Sequence, residues 1–81
     1  MVQKSVTVYS TQTCPYCHFA KDFLSQHKIK FNDIDVSRDH KAAEEMQKKS
    51  GQMGVPVLDI GGSIIIGFDK EAIATALGIK E

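Results

Sequence analysis

Apolar residues recur along this chain at two spacings, every second position in some stretches and near 3.6 in others. From Lys4 to Ser10, Val6 and Val8 alternate with Thr7 and Tyr9, a β pattern rich in β-branched side chains. The polar run Ser10-Thr11-Gln12-Thr13 reads as a loop. Tyr16, Phe19, Ala20, Phe23 and Leu24 then fall at i, i+3, i+4, i+7 and i+8, predicting a helix with one apolar face. His18, Lys21, Asp22 and Ser25 are left to the surface. Thr13 is the expected N-cap, with Cys14 as the first helical residue and Pro15 early enough that its missing N–H costs nothing.

A second strand is predicted over Phe31 to Val36, its apolar positions being Phe31, Ile34 and Val36. Ser37 to Asp39 offers caps for a second helix, whose narrow stripe is Ala42, Ala43 and Met46 and which stops near Ser50-Gly51. Its other face, with Lys41, Glu44, Glu45, Lys48 and Lys49, reads as solvated. Gly54-Val55-Pro56 leads into a third strand, Val57 to Ile60. Gly61-Gly62 is a hairpin signal, and Ser63 to Ile66 returns as the fourth. Gly67-Phe68-Asp69 breaks that strand, and Asp69 can cap a last helix, Lys70 to Leu77, with Ile73, Ala76 and Leu77 inward and Gly78 closing it.

The order is βαβ followed by ββα. The first half implies two parallel strands joined by a right-handed crossover, and the hairpin implies two antiparallel ones. One four-stranded mixed sheet with helices on both faces buries these stripes most economically. An 81-residue chain suits a single domain, residues 1–81, and an α/β fold.

Ten basic and ten acidic residues cancel, so no basic field points to nucleic acid or to an anionic membrane surface. The start, Met1-Val2-Gln3-Lys4-Ser5, has no apolar signal core, and no apolar run reaches transmembrane length. A cytoplasmic monomer is the expectation.

In that reducing setting the two cysteines, Cys14 and Cys17, are better suited to chemistry than to a permanent bridge. Thiols at i and i+3 on a first helical turn have Cβ atoms about 5–6 Å apart, near enough to close and reopen a disulfide. So short a ring removes little unfolded-state entropy and makes a poor staple. Two cysteines are also only half of a four-thiolate zinc site. His18 adjoins the motif, His27 and His40 lie in charged helical surroundings, and no metal site is expected. Cys14 sits where orphan N–H groups and the helix dipole favour an anion, so it is expected to attack, while Cys17, one turn deeper, resolves the mixed disulfide. Tyr16 could flank a substrate or pack in the core. Pro15 stiffens the start of the helix. A trans Pro56 marking a strand start is the default from residues alone.

Together these residues resemble the glutaredoxin family of the thioredoxin superfamily over almost the whole chain. Cys14-Pro15-Tyr16-Cys17 is identical to the dithiol glutaredoxin active-site sequence, and Gly54-Val55-Pro56 stands where the family has Thr-Val-Pro. Gln52 is placed like a glutamine often found shortly before it. Gly67-Phe68-Asp69 occupies the region of the family's Gly-Gly motif and following acidic residue. The resemblance implies a thioredoxin-like fold with three flanking helices, Pro56 in cis, and glutathione as reductant without a tightly bound cofactor. It also implies that the Val55 backbone pairs with the cysteinyl part of glutathione. The γ-glutamyl end would lie at Gly67, Phe68 and Asp69, near backbone N–H groups of a helix start, and Gln52 would reach the glycyl carboxylate.

Departures from the family pattern concentrate at that site. Thr is replaced by Gly54 and the second Gly by Phe68, and the acidic residue is either Asp69 or replaced by Lys70. A Gly-Phe pair also occurs in glutaredoxin-like redoxins that draw electrons from thioredoxin reductase and feed ribonucleotide reductase, which is the alternative reading. A further alternative is a [2Fe–2S] module held between two subunits by the first cysteine and glutathione, although Pro15 stands where cluster-binding relatives often carry glycine. Oxidised protein partners implied by the resemblance include ribonucleotide reductase and enzymes that reduce peroxides or methionine sulfoxide.

Overall fold

The computed structural model describes residues 5–79, so the predicted strand start at Lys4 and the reading of residues 1–4 lie outside the described residues. The elements run β1 (Val6–Ser10), α1 (Pro15–Gln26), β2 (Asn32–Asp35), α2 (His40–Ser50), β3 (Val57–Ile60), β4 (Ser63–Ile66) and α3 (Lys70–Leu77). They form a four-stranded sheet in the order β2-β1-β3-β4. β1 and β2 are parallel, with Thr7 opposite Asn32 and Ser10 opposite Asp35. β3 is antiparallel to both β1 and β4. The β3–β4 turn uses Gly61 and Gly62 at φ +57° and +99°, the left-handed pair that a tight hairpin of this hand requires.

Period-two alternation divides the apolar residues between two layers. Val6, Val8, Leu58, Ile60 and Ile65 face one side, where Ala20, Phe23 and Leu24 of α1 and Ile73 and Ala74 of α3 cover them. Tyr9 and Val57 face the other and meet Ala42 and Met46 of α2, flanked by half-buried Ile34, Val36 and Ile64. The buried Tyr9 hydroxyl accepts from Lys49 Nζ at 2.9 Å, and the same ammonium donates to Asp59 at 2.8 Å, tying α2 to β3. This hydrogen bond is the main reason the Asp59 carboxyl is held below its ordinary value.

Two expectations need correction. Tyr16 and Phe19 are 62% and 51% exposed, so they do not belong to the buried face of α1. Cys17 takes that place with Ala20, Phe23 and Leu24. Positions 17, 20 and 24 are centred on the sheet, and at 100° per residue Tyr16 and Phe19 swing to the flank. The edge strand β2 is shorter than Phe31 to Val36, although both of those residues pack against the layers from just outside it. On α3, Ile73 is buried and the half-buried Ala76 and Leu77 pack against the same core, as expected, and Ala74 is buried as well. Among the described residues no helix is long and apolar enough to cross a membrane.

Leu24 is fully buried where α1 crosses the sheet. Leu24→Ala is expected to lower unfolding free energy by about 2–5 kcal/mol, measured by urea denaturation. A loss below about 1 kcal/mol would contradict the packing described.

Candidate active site

α1 begins one residue later than the sequence pattern suggests. Cys14, not Thr13, is its N-cap, with extended backbone angles (φ −94°, ψ 110°) and Pro15 in the first turn. The cause is local: a residue before proline is driven out of the helical region, so Cys14 cannot be the first helical residue. Its sulfur therefore occupies the acceptor position of the cap and receives the Cys17 N–H at 3.3 Å. The same position sets the sulfur at the positive end of the helix dipole. Cys14 is half-buried, open enough to meet another sulfur.

Cys17 lies below it with no solvent exposure. Its thiol is pushed up from 9.0 to about 11, first by burial and then by the neighbouring Cys14 sulfur. The Thr11 backbone and the Lys21 charge pull the other way. Both cysteines are free thiols. The arrangement suits a half-buried nucleophile and a protonated reserve thiol one turn deeper.

The Val55–Pro56 peptide is cis, as the resemblance implies and contrary to the default from residues alone. The Val55 carbonyl oxygen stands 3.8 Å from Cys14 Sγ, and Pro56 is buried at the head of β3. The Pro56 carbonyl accepts the Gly67 N–H at 2.8 Å, so the turn after β4 is tied directly to this loop. Gly67 holds φ +79°, a conformation that disfavours a side chain. Asp69 caps α3 by accepting the Ala72 N–H at 3.1 Å, which puts a carboxylate at that helix start.

Gln52 is turned onto its own loop: its amide donates to the Gly54 carbonyl at 2.9 Å and accepts the Gly54 N–H at 2.8 Å. A Cβ at Gly54 would come within 2.6 Å of the Gln52 amide oxygen, so the glycine that replaces the family threonine is what permits this closure. Tyr16 packs edge-on against Phe19, with ring centres 6.0 Å apart, and Phe19 lies 6.2 Å from Phe68. Phe68 in turn lies 6.2 Å from Phe23. An aromatic strip thus runs from the motif to the turn after β4. Cys14, Cys17, Pro15, Tyr16, Val55, Pro56, Gly67 and Phe68 are gathered at one end of the sheet, with Asp69 at its margin and Gln52 folded on the neighbouring loop.

Sequence reasoning missed Phe19 as part of this surface, because its spacing fits a buried stripe equally well. It also missed the contact of Lys21 with Asp33 on β2, which no local pattern announces.

Comparison with known proteins agrees with this geometry. The family model described as Glutaredoxin matches residues 6–65. A glutaredoxin-like 8.6 kDa protein in the rubredoxin operon of Clostridium pasteurianum is 47% identical over 68 residues, covering 84% of this chain and 91% of that protein. Glutaredoxin 3 of Escherichia coli (strain K12) is 38% identical over 65 residues, covering 80% of this chain and 78% of its own. Among solved structures, the glutaredoxin-like protein NrdH-redoxin from Escherichia coli superposes with a TM-score of 0.81 at 28% identity, over 88% of this chain and 92% of that one. The fold is thioredoxin-like.

The raised Cys17 value has a consequence for stability. Between pH 9 and 11 the unfolded chain ionises this thiol while the folded protein keeps it protonated, so stability falls as pH rises. The expected loss is roughly 2–3 kcal/mol for the reduced protein. Urea titrations across that range should show a shallower decline for Cys17→Ala than for the parent, and parallel declines would refute the assignment.

Proposed function

The chain belongs to the glutaredoxin family of thiol–disulfide oxidoreductases, and from that premise we propose that it reduces protein disulfides and glutathione mixed disulfides with electrons from glutathione. The observation that carries this reading is the cysteine sulfur at the N-cap of α1, with a second thiol buried beneath it. The Cys14 thiolate attacks one sulfur of a substrate disulfide, forming a mixed disulfide and expelling the other sulfur as a thiolate that takes up a proton. Cys17 then displaces the bound half, leaving a Cys14–Cys17 disulfide, which two molecules of glutathione reduce in turn. With a glutathione mixed disulfide as substrate, glutathione itself can release Cys14, and Cys17 is dispensable.

Several features support glutathione as the donor. The Val55 backbone lies beside Cys14, as required of the strand edge that would pair with its cysteinyl unit. The Gly67-Phe68-Asp69 turn is tied to Pro56 by the Gly67 N–H, and in this reading it would receive the γ-glutamyl end. To reach the glycyl carboxylate, Gln52 would have to release Gly54. In this reading the protein has no tightly bound cofactor and acts as a cytoplasmic monomer on oxidised protein partners.

A second reading, reduction by thioredoxin reductase, is favoured by one specific observation. Tyr16 and Phe19 stand exposed beside Phe68, an apolar strip suited to a protein surface. The similar NrdH-redoxin is described as having a thioredoxin-like activity profile.

Two NADPH-coupled assays separate the donors, one with glutathione and glutathione reductase, the other with thioredoxin reductase alone. Turnover in the first is expected, and turnover confined to the second would replace glutathione as donor. Cys17→Ser should retain most activity on a glutathione mixed disulfide and lose at least about tenfold on a protein disulfide. Equal loss on both substrates would exclude the one-thiol route.

A further inference from the structure

We propose that Gln52 is a positioning residue for disulfide reduction, its side-chain amide staying closed on Gly54 and so holding the next residue, Val55, with its backbone beside Cys14. Such a role deepens the disulfide-reductase reading given above and rests on it. The Gln52 amide takes up both polar groups of one residue, donating to the Gly54 carbonyl at 2.9 Å and accepting the Gly54 N–H at 2.8 Å. Gly54 is joined directly to Val55, whose carbonyl oxygen lies 3.8 Å from Cys14 Sγ and whose bond to Pro56 is cis. Behind the amide the restraint continues into α2. The Ser50 hydroxyl lies 2.7 Å from the Met46 carbonyl and 2.9 Å from the Gln52 carbonyl, and it accepts the Gln52 N–H at 3.4 Å. An unbroken series of contacts thus leads from the last turn of α2 to the backbone beside the reactive sulfur.

The segment needs such a hold. Residues 51–56 belong to no helix or strand, and Met53 within it is 55% exposed. Downstream, the half-buried Val55 packs against the second core layer and the Pro56 carbonyl accepts the Gly67 N–H, so that side is fixed. Upstream stands a glycine, and an unrestrained glycine would leave the Gly54–Val55 peptide free to turn. The amide and the glycine are matched. A Cβ at Gly54 would come within 2.6 Å of the Gln52 amide oxygen and crowd it out, while the amide removes the freedom that glycine brings. A disulfide substrate that pairs with the Val55 backbone then meets groups already in place. Because ordering a loop during binding weakens affinity, the clamp acts on substrate binding. The sulfur itself is left untouched, since the N–H that Cys14 Sγ accepts comes from Cys17 in α1.

Two variants break the clamp from opposite sides. Gln52→Met keeps the length of the side chain and removes both polar groups. Gly54→Ala keeps Gln52 and displaces its amide, on a backbone that lies outside the left-handed region. With a cysteinyl peptide in mixed disulfide with glutathione as substrate, each is expected to raise the apparent KM about three- to tenfold and to leave kcat within about twofold. The double variant should be no worse than either alone, because both substitutions remove one contact. Alkylation of Cys14 by iodoacetamide, which makes no use of the Val55 backbone, should change less than about twofold. Faster hydrogen exchange at the Gly54 amide in Gln52→Met checks the clamp without any substrate. A fall in KM for Gly54→Ala that the added Gln52→Met abolishes would overturn the role, because the released amide would then hold the substrate itself. Unchanged KM in both single variants, additive losses in the double variant, or unchanged exchange at Gly54 would overturn it as well. Absence of turnover by the parent protein would instead remove the disulfide reduction on which it rests.

Discussion

The conformation that Pro15 imposes on Cys14 governs the rest of the site. Held extended before a proline, Cys14 cannot enter the helix, and its sulfur falls into the position from which an N-cap side chain accepts the N–H three residues on. The other two long helices are capped the same way: Asp39 receives the Ala42 N–H and Asp69 receives the Ala72 N–H, each at 3.1 Å. At α2 and α3 the acceptor is a carboxylate oxygen. At α1 it is a sulfur. A structural device that elsewhere holds a helix start is here the reactive group itself.

The sheet supplies the second constraint. Because β1 lies between β2 and β3, the loop leaving β1 emerges beside the loop entering β3. That adjacency brings Val55 to Cys14, and the bond from Gly67 to Pro56 adds the turn after β4. Three chain segments distant in sequence are thereby held at one end of a closely packed scaffold. Meanwhile α1 serves both the core and the site: Ala20, Phe23 and Leu24 anchor it, Cys17 is buried with them, and Tyr16 and Phe19 are turned outward. The burial that stabilises the helix is also what keeps the resolving thiol protonated.

Much of this was legible in the residues. The alternation in β1, the Gly61-Gly62 hairpin and the Asp–Gly bracketing of α2 and α3 are local signals, and local signals survive folding well. The unequal burial of Cys14 and Cys17 was expected from helix polarity together with the greater depth of the second position. The cap was misplaced by one residue although the rule that corrects it, the restriction before proline, was written in the sequence. Tyr16 and Phe19 were harder, because a flank position and a core position differ by less than a third of a turn and only the orientation of α1 on the sheet decides between them. The cis state of Pro56 came from family resemblance, since nothing local distinguishes it. The Lys21–Asp33–Ser10 contact depends on the register of β2 against β1 and could not be read from spacing.

Two thiols, unequally placed, are the centre of this site. The most direct test of that placing is the alkylation of the reduced, folded protein with iodoacetamide at neutral pH, with each cysteine followed by peptide mass spectrometry. Label should accumulate on Cys14 first and reach Cys17 only when the protein is unfolded. Equal labelling of the two, or Cys17 reacting ahead of Cys14, would contradict it.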